Sequence, residues 1–424
     1  YVPGGNFSGS SFYGNGGGSL SYVSGINGQQ NTGVGCDALN SVTSGNRNTA
    51  TGYQSLNSLT TGYNNVAVGV YASDKSTTGN RNVAIGVYAL CSNITGFSNV
   101  AIGEQALFAS TASINTAIGS MAMRFNTTGS ANVAIGGNAL CYNTTGTQNI
   151  AIGYQTMTTN TTGCRNVAIG QEALWKNTYG KCNVATGHNA LRYNTYGNLN
   201  TGSGHEALYT NTYGCYNVAT GANALRSNTY GKCNVATGYN ALRSNTIGQL
   251  NTAIGYEALK VNVDGNYNVA IGAYVLDSNI GGDGNTGVGY KTLCDNTTGN
   301  YGTSYGYQSM RFNTTGYGNT AMGYQAAFYT TTGFDNTAMG KQALYCSSTG
   351  CFNTAVGKSA LYCNSANSNT GIGYNALYHA RGTNANNSTG IGYAAGRFIA
   401  NGSTQNTAPY QAVFIGSNTK SKLA

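Results

Sequence analysis

The sequence predicts an all-β protein, a parallel β-solenoid or β-roll with one 17-residue coil per repeat. Three observations predict it. A glycine recurs every 17 residues at Gly35, Gly52, Gly69, Gly86 and Gly103, slips by one to Gly119, then keeps its spacing through Gly136, Gly153 and Gly170 to Gly357. A fixed period near 20 residues marks a stack of repeats, not a globular core. Each copy joins a short alternation of β-branched and small residues, as at 132–136, to a turn of the Asn-Thr-Thr-Gly type. Composition agrees: 63 glycines, 33 tyrosines, 2 prolines and 7% charged residues in 424, where an ordinary packed domain is about one quarter charged.

The chain divides into a Gly/Ser/Tyr-rich cap or linker at 1–30, a solenoid of about 22 repeats at 31–392, and a degenerate cap or truncated continuation at 393–424. The last segment keeps one echo of the repeat in Phe414, Ile415 and Gly416. Such atypical ends are what a stack of strands requires, because an open end templates further pairing.

With Asn132 as position 1 of a copy, positions 1 to 5 alternate with a period of two and form the strand. The turn follows from Asn and Thr, which bond locally, and from Gly, which tolerates positive φ. Seventeen residues are too few for a strand, a crossover helix and a return strand, which need about 30. Each copy is therefore one coil, stacked about 4.8 Å from the next, and the whole makes a rod on the order of 100 Å long.

Identical positions then form columns. Position 9 is leucine in most coils (Leu39, Leu56, Leu90, Leu107, Leu140, Leu174), with Met123, Met157 and Met310 as near-isosteres. It is the core, completed by alanine at position 8 and by position 2 or 4. Position 3 is small in every regular coil, as in Gly33, Ala50, Ala134, Gly202, Ser304 and Gly371. That bare face is read as the approach of a neighbouring chain in preference to the coil's own opposite wall. The leading Asn (Asn48, Asn65, Asn82, Asn99, Asn132, Asn149, Asn166) stacks its amides and sets the register.

The NVAIG strand followed by a small residue and a polar turn resembles the head repeat of trimeric autotransporter adhesins. The longer pattern NTAIGYEAL at 251–259, with NTTG turns elsewhere, is similar to the repeat shafts of phage and virus tail-fibre proteins. The resemblance covers about 31–392. It implies a left-handed parallel β-roll, a homotrimer, and an extracellular, cell-surface or virion location, with a role in reach and attachment. No heptad stalk, membrane-anchor barrel or self-cleaving chaperone domain of those families is recognisable, and Tyr1 is not an initiator, so a longer gene product is expected.

Eleven cysteines are the first candidates for chemistry. Cys346 and Cys363 share a position in successive coils, within disulfide reach. Cys164 with Cys182, and Cys215 with Cys233, are offset by one coil plus one residue and form the other candidate pairs, suited to an oxidising compartment. Zinc lacks a CxxC or Cys/His pair at ligand spacing. His188 and His205, with Glu206, occupy a position that elsewhere carries Tyr154, Tyr239 and Tyr256, so variation is preferred to a metal site. The single GGDG at 281–284 is read as a loop variant, not a calcium coil.

Asn126, Asn143, Asn160, Asn296 and Asn313 begin sequons and are candidate glycosylation sites. In other copies (Asn177, Asn194, Asn211, Asn228) the sequon is lost while Asn and Thr stay, so turn geometry explains the motif better. Thr186, Ser203, Thr220 and Thr237 replace the apolar residue at position 4, which means either an exposed position 4 or a wetter axis. The same block carries Tyr179, Tyr196, Tyr213 and Tyr230 at position 14, a candidate glycan-contact ladder with Arg192, Arg226 and Arg243 nearby.

The expected function is a structural fibre that associates with itself, as a trimer or filament, and attaches to a cell-surface glycan or receptor. No enzyme activity or cofactor is expected: GxSxG, P-loop and Ser/His/Asp patterns are missing, and only 11 Asp and Glu are present. Net charge +9 is scattered without runs, against a nucleic-acid partner. No stretch nears the roughly 18 apolar residues of a membrane helix. The rivals are an end-to-end polymerising filament subunit and an ice-binding solenoid; adjacent turn threonines such as Thr144 and Thr145 point to different faces and disfavour the latter.

Overall fold

The computed structural model describes residues 11–13, 28–379, 386–397 and 411–419. Most of the two terminal segments expected as caps lies outside the described residues. The chain forms two compact units, 1–215 and 216–424. In the first, strands run from Ser11–Tyr13 to Thr201–Ser203; in the second, from Val218–Thr220 to Val413–Ile415. Each strand has three residues and pairs in parallel with its counterpart one repeat away, as in Val133↔Ile150, Ala134↔Ala151 and Ile135↔Ile152. The second unit does the same, with Val235↔Thr252 and Thr237↔Ile254. Both are parallel β-solenoids, as the periodicity predicts, and no helix occurs among the described residues.

Hydrogen bonding between coils continues beyond the strand. In the coil that starts at Asn132, amides of Val133, Leu140, Tyr142 and Thr144 donate to carbonyls of the following coil, whereas Gly136 and Gln148 donate to the preceding one. The backbone is thus satisfied layer by layer, so turns with no regular secondary structure still hold their place.

Sharp corners let so short a coil close. Asn138, Leu140 and Gln148, at positions 7, 9 and 17, have φ of 57°, 51° and 58°, and equivalent residues repeat this in nearly every coil. Such a conformation costs a non-glycine residue roughly 1–2 kcal/mol. At position 9 the burial of the leucine side chain offsets it, at about 1.5–3 kcal/mol. Position 5 admits only glycine: Gly136 has φ 129°, and a Cβ there would stand 2.5 Å from the carbonyl oxygen of Gly153 in the next layer.

The interior is narrower than the sequence suggests, and it corrects one expectation. Position 3 points inward in every strand whose side chains are described, while positions 2 and 4 point out; Ala134 is wholly buried between Val133 and Ile135, and Ile135 is 37% exposed. The small residue is therefore the coil's own inner wall, not a face for a neighbouring chain, and positions 2 and 4 do not fill the core. The leucine column is what approaches: a Cβ at Gly202 would lie 3.3 Å from Leu191 Cγ. One leucine and one alanine span the gap, so nothing larger fits opposite.

Two columns of buried asparagine complete the interior. At position 1, the Asn149 amide nitrogen donates to Asn132 Oδ1 at 3.2 Å and to the Gly163 carbonyl at 2.9 Å, and its backbone N–H also donates to Asn132 Oδ1 at 2.9 Å. At position 12, which the sequence reading treats only as a turn, Asn143 Nδ2 donates to Asn126 Oδ1 at 2.6 Å and to Gly146 O at 3.0 Å. Asn149 and Asn143 each use both amide hydrogens.

Replacing one such amide by a carboxylate sets an anion against two acceptors. Asn149→Asp is expected to cost at least about 3 kcal/mol of local stability at pH 7, read from amide exchange in the coils around 132–166. Burial raises the carboxyl's folded-state pKa, so the folded state binds the proton more tightly and stability recovers as pH falls. Exchange that matches the parent protein, or ignores pH, contradicts this account of the ladder.

Candidate functional site

The asparagine columns are buried and bonded from coil to coil, so the side chains that can meet a ligand are those of the outward columns. The outer strand face is apolar in many coils: Val66 and Val68 are 37% and 38% exposed, and Ile150 and Ile152 are 39% and 36% exposed. Thr186 and Ser203, like Thr220 and Thr237 in the second unit, turn their hydroxyls outward at position 4. The exposed reading of position 4 holds, and no wetter axis is needed to explain them. Beside this face, position 6 stacks aromatic rings, such as Tyr307 on Tyr324 at 5.4 Å and 5°.

The position-14 tyrosines also stack, Tyr179 on Tyr196 at 5.1 Å and Tyr196 on Tyr213 at 4.9 Å; Tyr230 lies exposed in the second unit. In such a column each ring face is covered by its neighbour, so it offers edges and hydroxyls where sugar stacking needs a free face. Nor does Arg192 serve this column. It stands at position 10, its guanidinium 2.7 Å from Glu172, 2.6 Å from Tyr193 Oη and 3.1 Å from Tyr209 Oη, and 4.9 Å over the Trp175 ring. Burial lowers its pKa, but the hydrogen bond that it donates to Tyr209 Oη and the charge of Glu172 outweigh this and hold the pKa above the usual value. Arg192 is a packing hub between coils, which the spacing of Arg and Tyr in the sequence does not reveal.

Cys346 and Cys363 form a disulfide across 4.7 Å between Cα atoms. The other two proposed pairs are not formed: Cys164, Cys182, Cys215 and Cys233 are free thiols. Cys182 donates its backbone N–H to Cys164 O at 3.0 Å, yet it sits at a corner with φ 56°. The one-residue offset across that corner denies the two side chains the equivalent, parallel placement that joins Cys346 to Cys363. Cys215 and Cys233 fall one in each unit. Among the remaining thiols, burial pushes Cys91 and Cys141 up, and burial together with Asp295 pushes Cys294 up to about 12.

The sequon asparagines are corrected outright. Asn126, Asn143, Asn160, Asn296 and Asn313 are at most 2% exposed, and each amide nitrogen that a glycan would modify donates inward, for Asn160 to Asn143 Oδ1 at 2.7 Å and Gly163 O at 3.0 Å. A sugar there has no room and breaks the ladder. His188 and His205 stack at 5.4 Å, and no group of three or more His, Cys, Asp or Glu that could hold a metal occurs among the described residues. In the GGDG stretch, Asp283 Oδ1 accepts the Asn266 backbone N–H at 2.6 Å and is absorbed in the stack. No helix among the described residues is long and apolar enough to cross a membrane. No family model matches the chain, and no curated protein matches it.

Thiol chemistry checks this placement. Maleimide at pH 8 is expected to label exposed Cys36 and Cys233 first, with Cys294 slower by roughly 100-fold or more until denaturation. Cys346 and Cys363 label only after reduction. Early labelling of Cys294, or of Cys346 without reductant, contradicts the burial and pairing described.

Proposed function

We propose that this chain is a structural fibre protein, extracellular or virion-borne, that provides reach and surface attachment and associates side by side as a homotrimer. The observation that carries this reading is the outer strand face. Valine and isoleucine stand more than one third exposed at positions 2 and 4 of many coils, as at Val66, Val68, Ile135, Ile150, Ile152 and Ile169, and an exposed apolar patch of this kind marks an interaction site. A second copy presents the same columns at the same spacing, which suits a repeated interface. The Cys346–Cys363 disulfide accords with an oxidising location. The aromatic edges and hydroxyls of the outward tyrosine columns supply contacts to a glycan or receptor. The protein works mechanically, with no reaction of its own.

Light scattering on the purified chain is expected to report three times the 43.7 kDa chain mass. The combined variant Ile135→Glu, Ile152→Glu and Ile169→Glu, whose side chains all point outward, is expected to stay folded and become monomeric. A monomeric parent protein, or a charged variant that still associates, overturns the reading.

One observation favours a second reading. Position 2 is threonine, outward and half-buried, in every strand from Thr286–Val288 to Thr389–Ile391. This regular hydroxyl-and-methyl column is a feature of an ice-binding face that the turn threonines lack, although Tyr305, Met322 and Met339 in the adjoining column interrupt it. Thermal hysteresis in solution distinguishes the two.

A further inference from the structure

The aromatic column at position 6 is interrupted in two layers of the second unit, and we infer that the interruption is a binding site for an acidic saccharide. Tyr290, Tyr307 and Tyr324 stack in successive coils at 5.4 Å, and Tyr374 stacks on Tyr393 at 5.2 Å. Between the two stacks the same column carries Lys341 and Lys358. The backbone runs on in register there, because the position-7 amides donate from layer to layer: Gln342 to Tyr324 O at 2.9 Å, Ser359 to Lys341 O at 2.9 Å and Asn375 to Lys358 O at 3.1 Å. Three layer steps separate Tyr324 from Tyr374, about 14 Å at the strand spacing.

No carboxylate among the described residues answers the two charges. Elsewhere Arg192 pairs with Glu172 and Lys260 with Glu257, at 2.7 and 3.0 Å. From 336 to 424, however, the sequence holds six Lys or Arg and no Asp or Glu. Asp335, just before that stretch, stands at position 17, and the strand Thr337–Met339 lies between it and Lys341. Each exposed lysine instead turns onto the tyrosine on its own side: Lys341 Nζ is 5.4 Å from the centre of the Tyr324 ring, and Lys358 Nζ is 5.3 Å from that of Tyr374. Like charges one layer apart repel, and an exposed cation–π contact is a weak substitute for a counter-ion.

The same two rings supply what the continuous tyrosine columns lack. One face of Tyr324 and one of Tyr374 meet a flexible lysine chain where other rings in the column meet a ring, so these faces become free for a sugar when the lysine swings to an anion. Beside them the position-7 amide ladder stops. Gln325 donates to Gln308 Oε1 at 3.0 Å and Gln342 to Gln325 Oε1 at 3.2 Å, but Ser359 follows in that column, so Gln342 Oε1 receives no further amide from it. Two cations, two ring faces and a carbonyl oxygen thus converge within a few layers. A carboxylate or sulfate between the lysines takes an N–H from each, and charge-assisted hydrogen bonds replace two weak ring contacts. A neutral sugar leaves the charges unanswered, and a polynucleotide draws on a longer run of cations than two layers provide. This site rests on the attachment role proposed above and gives its ligand class.

Calorimetry on the whole chain tests it with four probes: a uronic-acid oligosaccharide, a sulfated oligosaccharide, a neutral oligosaccharide of the same length and an oligonucleotide of the same charge. One or both acidic sugars are expected to bind, with the neutral sugar and the oligonucleotide weaker by at least about tenfold. The double variant Lys341→Gln with Lys358→Gln, and separately Tyr324→Leu, are each expected to weaken that binding by about tenfold. Lys291→Gln, whose side chain lies on Tyr274 and Tyr290 in the same unit, is expected to leave it within about twofold. Absence of binding, equal affinity for the neutral sugar, tighter binding of the oligonucleotide, or a lysine variant that binds like the parent overturns the inference. Should the variants lose the parent's circular dichroism, lysine acetylation of the parent decides: protection of Lys341 and Lys358 by the acidic sugar supports the site, and unchanged rates overturn it. A trimer that binds no acidic sugar fails this site alone, whereas a monomer that binds through Lys341 and Lys358 fails the trimer alone.

Discussion

The structure depends on one constraint: each coil must present to the next the donors and acceptors that it received from the one before. The position-1 amide shows it most fully. Asn149 takes its place by bonding Asn132 Oδ1 and Gly163 O, and its own Oδ1 then receives the N–H and Nδ2 of Asn166. A shift of one residue along the chain would leave buried amide groups unpaired at a cost of about 1–3 kcal/mol each. Repeated through the stack, that penalty makes register a property of the interior and frees the surface from the task.

From this follow the chemically plain core and the varied exterior. The interior holds leucine or methionine in most coils, with the smaller Ser73 and Ala327 as exceptions, opposite alanine, glycine or serine, because the layer spacing and the short coil leave no volume for more. Adaptation is pushed outward. Position 10 shows the range, holding Cys141, Trp175, Arg192, Tyr209, Asp277 and Tyr345 in different coils, and the stacked Tyr345, Tyr362 and Tyr378 show how adjacent coils build aromatic columns when they agree. A surface of this kind changes its contacts by substitution in one column without touching the fold. That suits the attachment role proposed above.

The irregular coils follow the same logic. The copies that begin at Asn99 and Asn353 are one residue short, and they lose it in the turn: Asn99 Nδ2 donates to Ala112 O at 2.9 Å and Asn353 Nδ2 to Ala366 O at 2.9 Å, where regular coils use the position-15 glycine. The strand and both its neighbours stay in register across each deletion. The amide column, not the turn length, holds the layers together.

The sequence by itself determined the coil, its parallel stacking, the leucine core, the position-1 amide ladder and the Cys346–Cys363 bridge, because each depends only on which residues recur at a fixed interval, and stacking turns that interval into contact. Direction around the coil was not legible. Whether position 3 or positions 2 and 4 face inward depends on how the corners at positions 5, 7 and 9 rotate the chain, and leucine with positive φ is not a pattern that propensity anticipates. The same rotation took the sequon asparagines inside and separated Cys164 from Cys182. Only the tertiary structure decided these, since period records which side chains are neighbours in a column while the closure of the coil decides which columns meet water.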